Sequence, residues 1–308
     1  AQHWTTVGWN FYPWRVRFSP TQNGLWSYTI KLFVNGSSSP ISTFATQTFN
    51  CIASSNNGFL RVSGNKRYLE HSNGTSFFGI GENITHWPGT DVVKALTTNI
   101  VGSGCSGSAD FQDLISAPCT EWNHSTYAYL RMTEMMGQLA EAGGNFQRLW
   151  LTPDGYDPEW EVLGNYGARQ HRMFELDNIV DFTKSKGIYL QLMLLHSSRF
   201  EHCNKDIFGW QQNPYRSISG VSNEIDFFTN TNAIKKYKQR LRYIIARWGY
   251  STNIGMYELS NELDFMNDGG KIYSGACPNP TFVANWWDNA YKMPVNNWHS
   301  IMAAYIKS

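Results

Sequence analysis

Apolar and polar positions change period along the chain, and the changes divide it. Over residues 1–56 they alternate two by two, as in half-buried strands. Residues 14–18 alternate first, and Ser19-Pro20-Thr21-Gln22-Asn23-Gly24 supplies a turn. A long run follows over 25–34, Asn35-Gly36 with Ser37 to Pro40 turns the chain again, and 41–49 offers a third strand. The pattern predicts β structure over 1–56 with too few strands for a closed sandwich, so either the module is small or its first strands precede residue 1. Asn56-Asn57-Gly58 interrupts it. Residues 59–62 and 68–71 then read as a hairpin around Ser63-Gly64-Asn65. The fully apolar run 77–81 reads as a short strand of the kind buried in parallel sheets, ending at Glu82-Asn83.

Beyond that point helical and strand periods alternate. Leu130, Met132, Met135, Met136 and Leu139 recur at helical spacing over 127–142, and Gly143-Gly144 stops them. A strand is expected over 145–151 and a helix over 173–186, the latter ended by Gly187. A strand over 188–195 runs into His196, a helix covers 232–248, a strand over 254–259 runs into Asn261-Glu262, and a last helix covers 295–306. Residues 88–124 read as an irregular insertion and 197–230 as a loop. Four strand–helix units in a row call for parallel strands with helical crossovers. Gly79-Ile80-Gly81 lies inside a strand and opens no helix, so a dinucleotide-binding loop is disfavoured. The expected fold class is α/β: the first four βα units of a (β/α)8 TIM barrel over 57–308, preceded by the β module. Half a barrel exposes an apolar edge, so the remaining half is an expected partner, from the same or another chain. Catalytic side chains of such barrels stand at the C-terminal strand ends. That logic selects Glu82, Asn83, His196, Asn261 and Glu262.

Composition narrows the partners. The 308 residues carry a net charge of +1 and only 16% charged side chains, which gives no electrostatic case for nucleic acid. No apolar run is long enough to span a bilayer. Aromatic residues reach 15%, with 13 Trp, which suits a neutral polar ligand such as a sugar ring. Trp160, Trp210 and Trp287 are loop aromatics, each a candidate sugar platform or, as loop aromatics more often are, a packing residue. No Cys or His spacing suggests a metal, and no cofactor is expected. Asp154, Asp157 and Asp264 read as solvated loop acids. Asn35, Asn73, Asn83 and Asn123 head glycosylation triplets. Cys105 with Cys119 and Cys203 with Cys277 are disulfide candidates, with Cys51 left over, and an extracellular location is expected.

The run Tyr243-Ile244-Ile245-Ala246-Arg247-Trp248-Gly249-Tyr250, followed by Tyr257-Glu258-Leu259-Ser260-Asn261-Glu262, resembles the retaining glycoside hydrolases of clan A. The likeness is closest to cellulase-like and mannanase-like barrels that follow a small β-sandwich. It extends to Asn57-Gly58-Phe59-Leu60-Arg61-Val62, Phe78-Gly79-Ile80-Gly81-Glu82-Asn83 and Asn213-Pro214-Tyr215. It also takes in Trp14 to Pro20 with Gly24-Leu25-Trp26, which implies the C-terminal part of a β-sandwich domain over 1–56, and the chain matches only part of such a protein. The resemblance implies hydrolysis of a β-linked glycan with retention, with Glu262 as general acid/base and Asn261 on the sugar 2-hydroxyl. It implies that Arg148 orients the nucleophile, that His196 contacts substrate, and that Glu82 and Asn83 line the innermost subsite. The nucleophile would end a seventh strand, outside this segment. At Tyr257 and Ser260 the chain departs from the Trp frequent in the family. The alternative is a secreted, non-catalytic carbohydrate-binding or structural glycoprotein on the same fold.

Overall fold

A computed structural model describes residues 16–34, 37–83, 132–152, 155–159, 162–167, 169–200, 209–263 and 289–308. The alternating runs near the start form one antiparallel ribbon in two ladders. β1 (Gly24–Tyr28) pairs with β4 (Gln47–Cys51), and β2 (Lys31–Leu32) pairs with β3 (Ser42–Thr43). Between the ladders the Thr29 and Thr46 hydroxyls meet at 2.7 Å. Trp26 stands opposite Phe49, their rings stacked at 6.4 Å, and Phe18 meets Phe49 edge-on at 5.7 Å. The strand expected over 14–18 is not formed in its described part. Arg17 instead pairs with Asp177 at 3.5 Å, and the Ser19 hydroxyl donates to the Tyr250 carbonyl. This segment's polar groups therefore reach the α/β body rather than a ladder. Among the described residues of 1–56, two paired runs make a ribbon and not a two-layered sandwich. Its apolar surface stays open, with Leu25 and Ile52 each 76% exposed.

The predicted hairpin is present as β5 (Leu60–Val62) and β6 (Leu69–His71), to which β7 (Ser76–Phe77) adds antiparallel. The apolar run 77–81 is not one strand. It splits after Phe77, and β8 (Gly81–Asn83) pairs parallel with β9 (Phe146–Trp150). The Asn145 side chain holds the break, accepting from the Ile80 N–H at 2.7 Å and donating to the Phe78 carbonyl at 3.0 Å. Glu82 and Asn83 therefore lie within the strand rather than beyond it. At Gly81 a Cβ would stand 1.6 Å from the Phe146 carbonyl oxygen. Gly81→Ala is accordingly expected to break the β8–β9 pairing and to cost about 1–3 kcal/mol, measured by urea denaturation. An unchanged midpoint would show that β8 is not held this close to β9.

β8, β9, β10 (Tyr189–Met193) and β11 (Ile254–Glu258) form a four-stranded parallel sheet whose spatial order follows the sequence. The crossovers run through α1 (residues 132–141) and α2 (Gln170–Ser185). The stretch expected as a loop carries three 3-10 turns and a helix, α3 (Glu224–Thr229), before α4 (Thr231–Trp248). α3 exists because Asn223 and Asp226 form a reciprocal cap across its first turn. α5 (Asn289–Lys307) starts before the expected boundary and passes through Pro294.

The sheet's two faces differ. Leu149, Leu190 and Leu192 point to the helices and are fully buried, in a core shared with Ile179, Val180, Tyr237, Leu241 and Ile244. On the alternate face Arg148, Gln191, Met256 and Glu258 keep partial exposure. The β5–β7 sheet covers the N-terminal end of the strands: Phe77 and His71 pack on Tyr189, the first residue of β10, at 4.9 and 5.3 Å. The opposite, C-terminal end is left for chemistry. No helix among the described residues is long and apolar enough to cross a membrane.

Candidate active site

Side chains from three neighbouring strands meet at one carboxylate, that of Glu258 at the end of β11. Arg148 on β9 makes a two-point contact with Glu258 on β11, through Nε to Oε2 at 2.7 Å and Nη2 to Oε1 at 2.5 Å. Gln191 on β10 lies between them and donates its amide to Glu258 Oε2 at 2.6 Å. Arg148 Nη2 also donates to Asn261 Oδ1 at 2.6 Å, and Nη1 reaches Asn83 Oδ1 at 3.4 Å. The guanidinium lies 5.1 Å from the Trp150 ring centroid, and Trp150 packs on His196 at 4.3 Å. Planar, bidentate geometry of this kind is what arginine provides and lysine cannot.

The expected site residues are thus largely brought together. Asn261 pairs with His196 in a parallel bridge, extending β10 and β11 by one step, and its N–H donates to the Leu195 carbonyl at 2.9 Å. Asn261 is 7% exposed, and its Nδ2 has no partner among the described residues. A buried, unpaired amide donor is costly unless a ligand completes it. Glu262, next along, is exposed, with no hydrogen bond or ion pair among the described residues, and has a left-handed backbone with φ +48°. Glu82 is exposed on the edge strand, beside Asn83.

Other expectations need correction or fall elsewhere. Trp210 is no sugar platform: it is 1% exposed and stacks on Phe200 in the core. Asp157 is not a solvated acid. It is fully buried and pairs with Arg199 and, at 2.6 Å, with Arg240, both fully buried too. Arg240 also donates to the Leu194 carbonyl at 2.9 Å, and Tyr215 donates to Glu159 at 2.7 Å. Burial pushes the Glu159 carboxyl up, against the opposing pull of Arg240. The cluster fastens the segment after β9 to the end of β10, beneath His196. Trp160, Trp287, Cys105, Cys119, Cys203, Cys277, Asn35, Asn123, Asp154 and Asp264 lie outside the described residues. Cys51 carries a free thiol. Asn73 sits in the β6–β7 turn, its Oδ1 accepting from the Thr75 N–H. Among the described residues no His, Cys, Asp and Glu are grouped to hold a metal ion.

Sequence reasoning passed over Glu258, Gln191 and Trp150. Alternation shows part of this set: Arg148 and Trp150 are two apart on one strand and so share a face.

No protein-family model matches the chain, and no curated protein does. The solved structures that it resembles are glycoside hydrolases. An endo-1,4-β-mannanase from Rhizomucor miehei aligns at TM-score 0.47 and 16% identity, over 81% of this chain and 57% of that one. A β-mannanase from the blue mussel Mytilus edulis aligns at 0.47 and 14%, over 82% and 60%. An exo-β-1,4-mannosidase from an Opitutaceae bacterium aligns at 0.44 and 18%, over 78% and 31%. The chain thus spans less than two thirds of each. With every one of these scores below 0.5, the likenesses carry no part of the functional reading.

Proposed function

We propose that this chain belongs to a secreted glycoside hydrolase that cleaves a β-linked glycan with retention, with Glu262 as general acid/base. The observation that carries the reading is the pairing of Asn261 with Arg148. By accepting from the guanidinium, Asn261 Oδ1 is fixed inward, so the amide's donor end, Nδ2, is the end left for a ligand. A sugar hydroxyl is an acceptor of the right kind, and the neighbouring exposed carboxyl of Glu262 is free to serve its glycosidic oxygen. In this reading His196, Trp150, Glu82 and Asn83 line the subsite around that sugar.

Retention requires a second carboxylate about 5–5.5 Å from the first. Glu258 is committed to Arg148 and Gln191, so we assign the nucleophile to a residue outside those described. Both edges of the parallel sheet, β8 and β11, lack a strand partner among the described residues. In this proposal further strand–helix units, from the same or another chain, close the barrel and bring that carboxylate. The test is to offer β-mannan, β-glucan and β-galactan to the intact natural protein and follow the first-formed anomer by proton NMR. Hydrolysis of one of them with the β-anomer appearing first is expected. The α-anomer first would exclude retention, and binding without any hydrolysis would establish the non-catalytic alternative.

A further inference from the structure

Glu262 and Lys66 are the two non-glycine residues with positive φ among those described. Such a conformation is strained for a residue with a Cβ, and it persists only where the surroundings over-determine it. The anchors of the turn are visible on both sides. Downstream, Leu263 is 6% exposed and belongs to the core. Upstream, Asn261 is held by the Leu195 carbonyl and by Arg148. One residue further back, the Ser260 hydroxyl lies 2.6 Å from His299 Nε2.

His299 projects from α5. Its Nδ1 lies 2.8 Å from the Val295 carbonyl one turn earlier, and its ring meets Trp298 edge-on at 5.1 Å. A carbonyl oxygen only accepts, so Nδ1 carries a proton. In the neutral ring Nε2 is then a lone pair, and the Ser260 hydroxyl donates to it. For the neutral ring the helix, not the loop, therefore sets the direction of the bond. β11 ends at Glu258, and beside the single Asn261–His196 bridge this bond is a second tie, joining the following turn to α5.

The geometry points to His299 as a positioning residue: through Ser260 it holds the Asn261–Glu262 turn so that the Glu262 carboxyl is presented to the bond to be cleaved. This rests on the acid/base reading of Glu262. Neither Ser260 nor His299 touches the substrate in this assignment.

The test compares His299→Phe, His299→Gln and Glu262→Gln in the intact natural protein. Phe keeps a ring against Trp298 and removes the acceptor, whereas Gln restores an acceptor oxygen. Two substrates separate positioning from general damage: an oligosaccharide of the β-glycan, whose leaving sugar needs a proton, and a dinitrophenyl glycoside, whose leaving group does not. For His299→Phe, kcat/KM on the oligosaccharide should fall roughly ten-fold while that on the dinitrophenyl glycoside stays within about two-fold, as partial loss of general-acid catalysis requires. Oligosaccharide binding should be unchanged, and His299→Gln should recover most of the loss. Glu262→Gln should show the same selectivity, but larger. If Glu262→Gln is selective and His299→Phe is not, the positioning role is overturned and the acid/base reading stands. If Glu262→Gln is itself unselective, or the wild type cleaves neither substrate, the acid/base reading falls and the proposal with it. A readout independent of activity is the 15N NMR signature of the His299 ring: the Nδ1–H neutral tautomer is expected, and the Nε2–H tautomer would overturn the tether.

Discussion

Asp157→Asn is expected to lower stability by about 3–5 kcal/mol, the range for removing one partner of a buried ion pair. At this chain length that corresponds to a melting temperature lower by roughly 5–8 °C. The reason lies in the count of charges. Asp157, Arg199 and Arg240 have no exposed side-chain surface, and Asp157 contacts both guanidinium groups. Glu159 is the other acid of the cluster, 4.0 Å from Arg240, and burial favours its protonated form. Removing Asp157 thus takes away the carboxylate that contacts both guanidinium groups, and Glu159, the other acid of the cluster among the described residues, takes a charge reluctantly. Asp177→Asn is the control. Asp177 binds Arg247 and Trp248 but is partly exposed, so screening by water makes its loss the smaller of the two. Equal effects from the two substitutions would show that the buried cluster does not act as a unit. The pH dependence has a definite sign. Glu159 binds its proton more tightly in the folded state, so its contribution to stability is fully present below its ordinary value of 4.5. It is lost as pH rises through the raised folded value, and Glu159→Gln should flatten that part of the stability profile.

Much of the α/β body was legible from periodicity alone. β9, β10, β11, α2 and α4 appear within a few residues of where the hydrophobic spacing puts them, because helix and strand faces of a buried sheet repeat cleanly. The misses have local causes. The run 77–81 has uniform apolar character and so hides its break, which is made by Asn145, 65 residues from Ile80. α3 was readable in principle, since Asn223 and Asp226 have the spacing of a capping box, but its six residues show too little period. α5 begins six residues before the expected 295 and carries Pro294 inside it, a position that proline seldom takes in a helix.

The candidate site was legible in part, for a related reason. Strand-end logic finds His196, Asn261 and Glu262 because each follows a strand, whereas Arg148 lies in the middle of β9 and is reached through the family resemblance. It does not find Glu258 or Gln191, whose role follows from strand register: Arg148 stands opposite Gln191, and Met193 opposite Glu258. Nor does it find His299, which arrives from a helix 39 residues after Ser260. Asp157 was misread for the same reason. Nothing local tells a solvated aspartate from one that two distant arginines have claimed.

Glu262→Gln is expected to lower hydrolysis of a β-glycan by roughly 10²–10⁴-fold, the usual share of a general acid/base, while glycan binding is kept. The two outcomes separate because the groups separate. In the proposed reading binding falls to the Asn261 amide, the Trp150–His196 pair and the edge residues Glu82 and Asn83, none of which this substitution alters. Glutamine matches the shape of the carboxyl and cannot give up or take a proton at the glycosidic oxygen. Glu262 makes no hydrogen bond among the described residues, so the change should leave the fold's stability within about 0.5 kcal/mol, as for surface positions generally. The pH profile adds a sharper sign. In a wild-type enzyme the alkaline limb of kcat/KM reports loss of the acid's proton, and Glu262→Gln should erase that limb while leaving the acid limb of the nucleophile in place. Arg148→Lys behaves differently. It keeps one positive charge but cannot hold both oxygens of Glu258 and the Asn261 carbonyl at once, so it should weaken binding and turnover together. A Glu262→Gln variant that retains more than about a tenth of wild-type hydrolysis and an intact alkaline limb would move the acid/base elsewhere. The exposed carboxyl at the turn would then be a substrate contact rather than the proton donor.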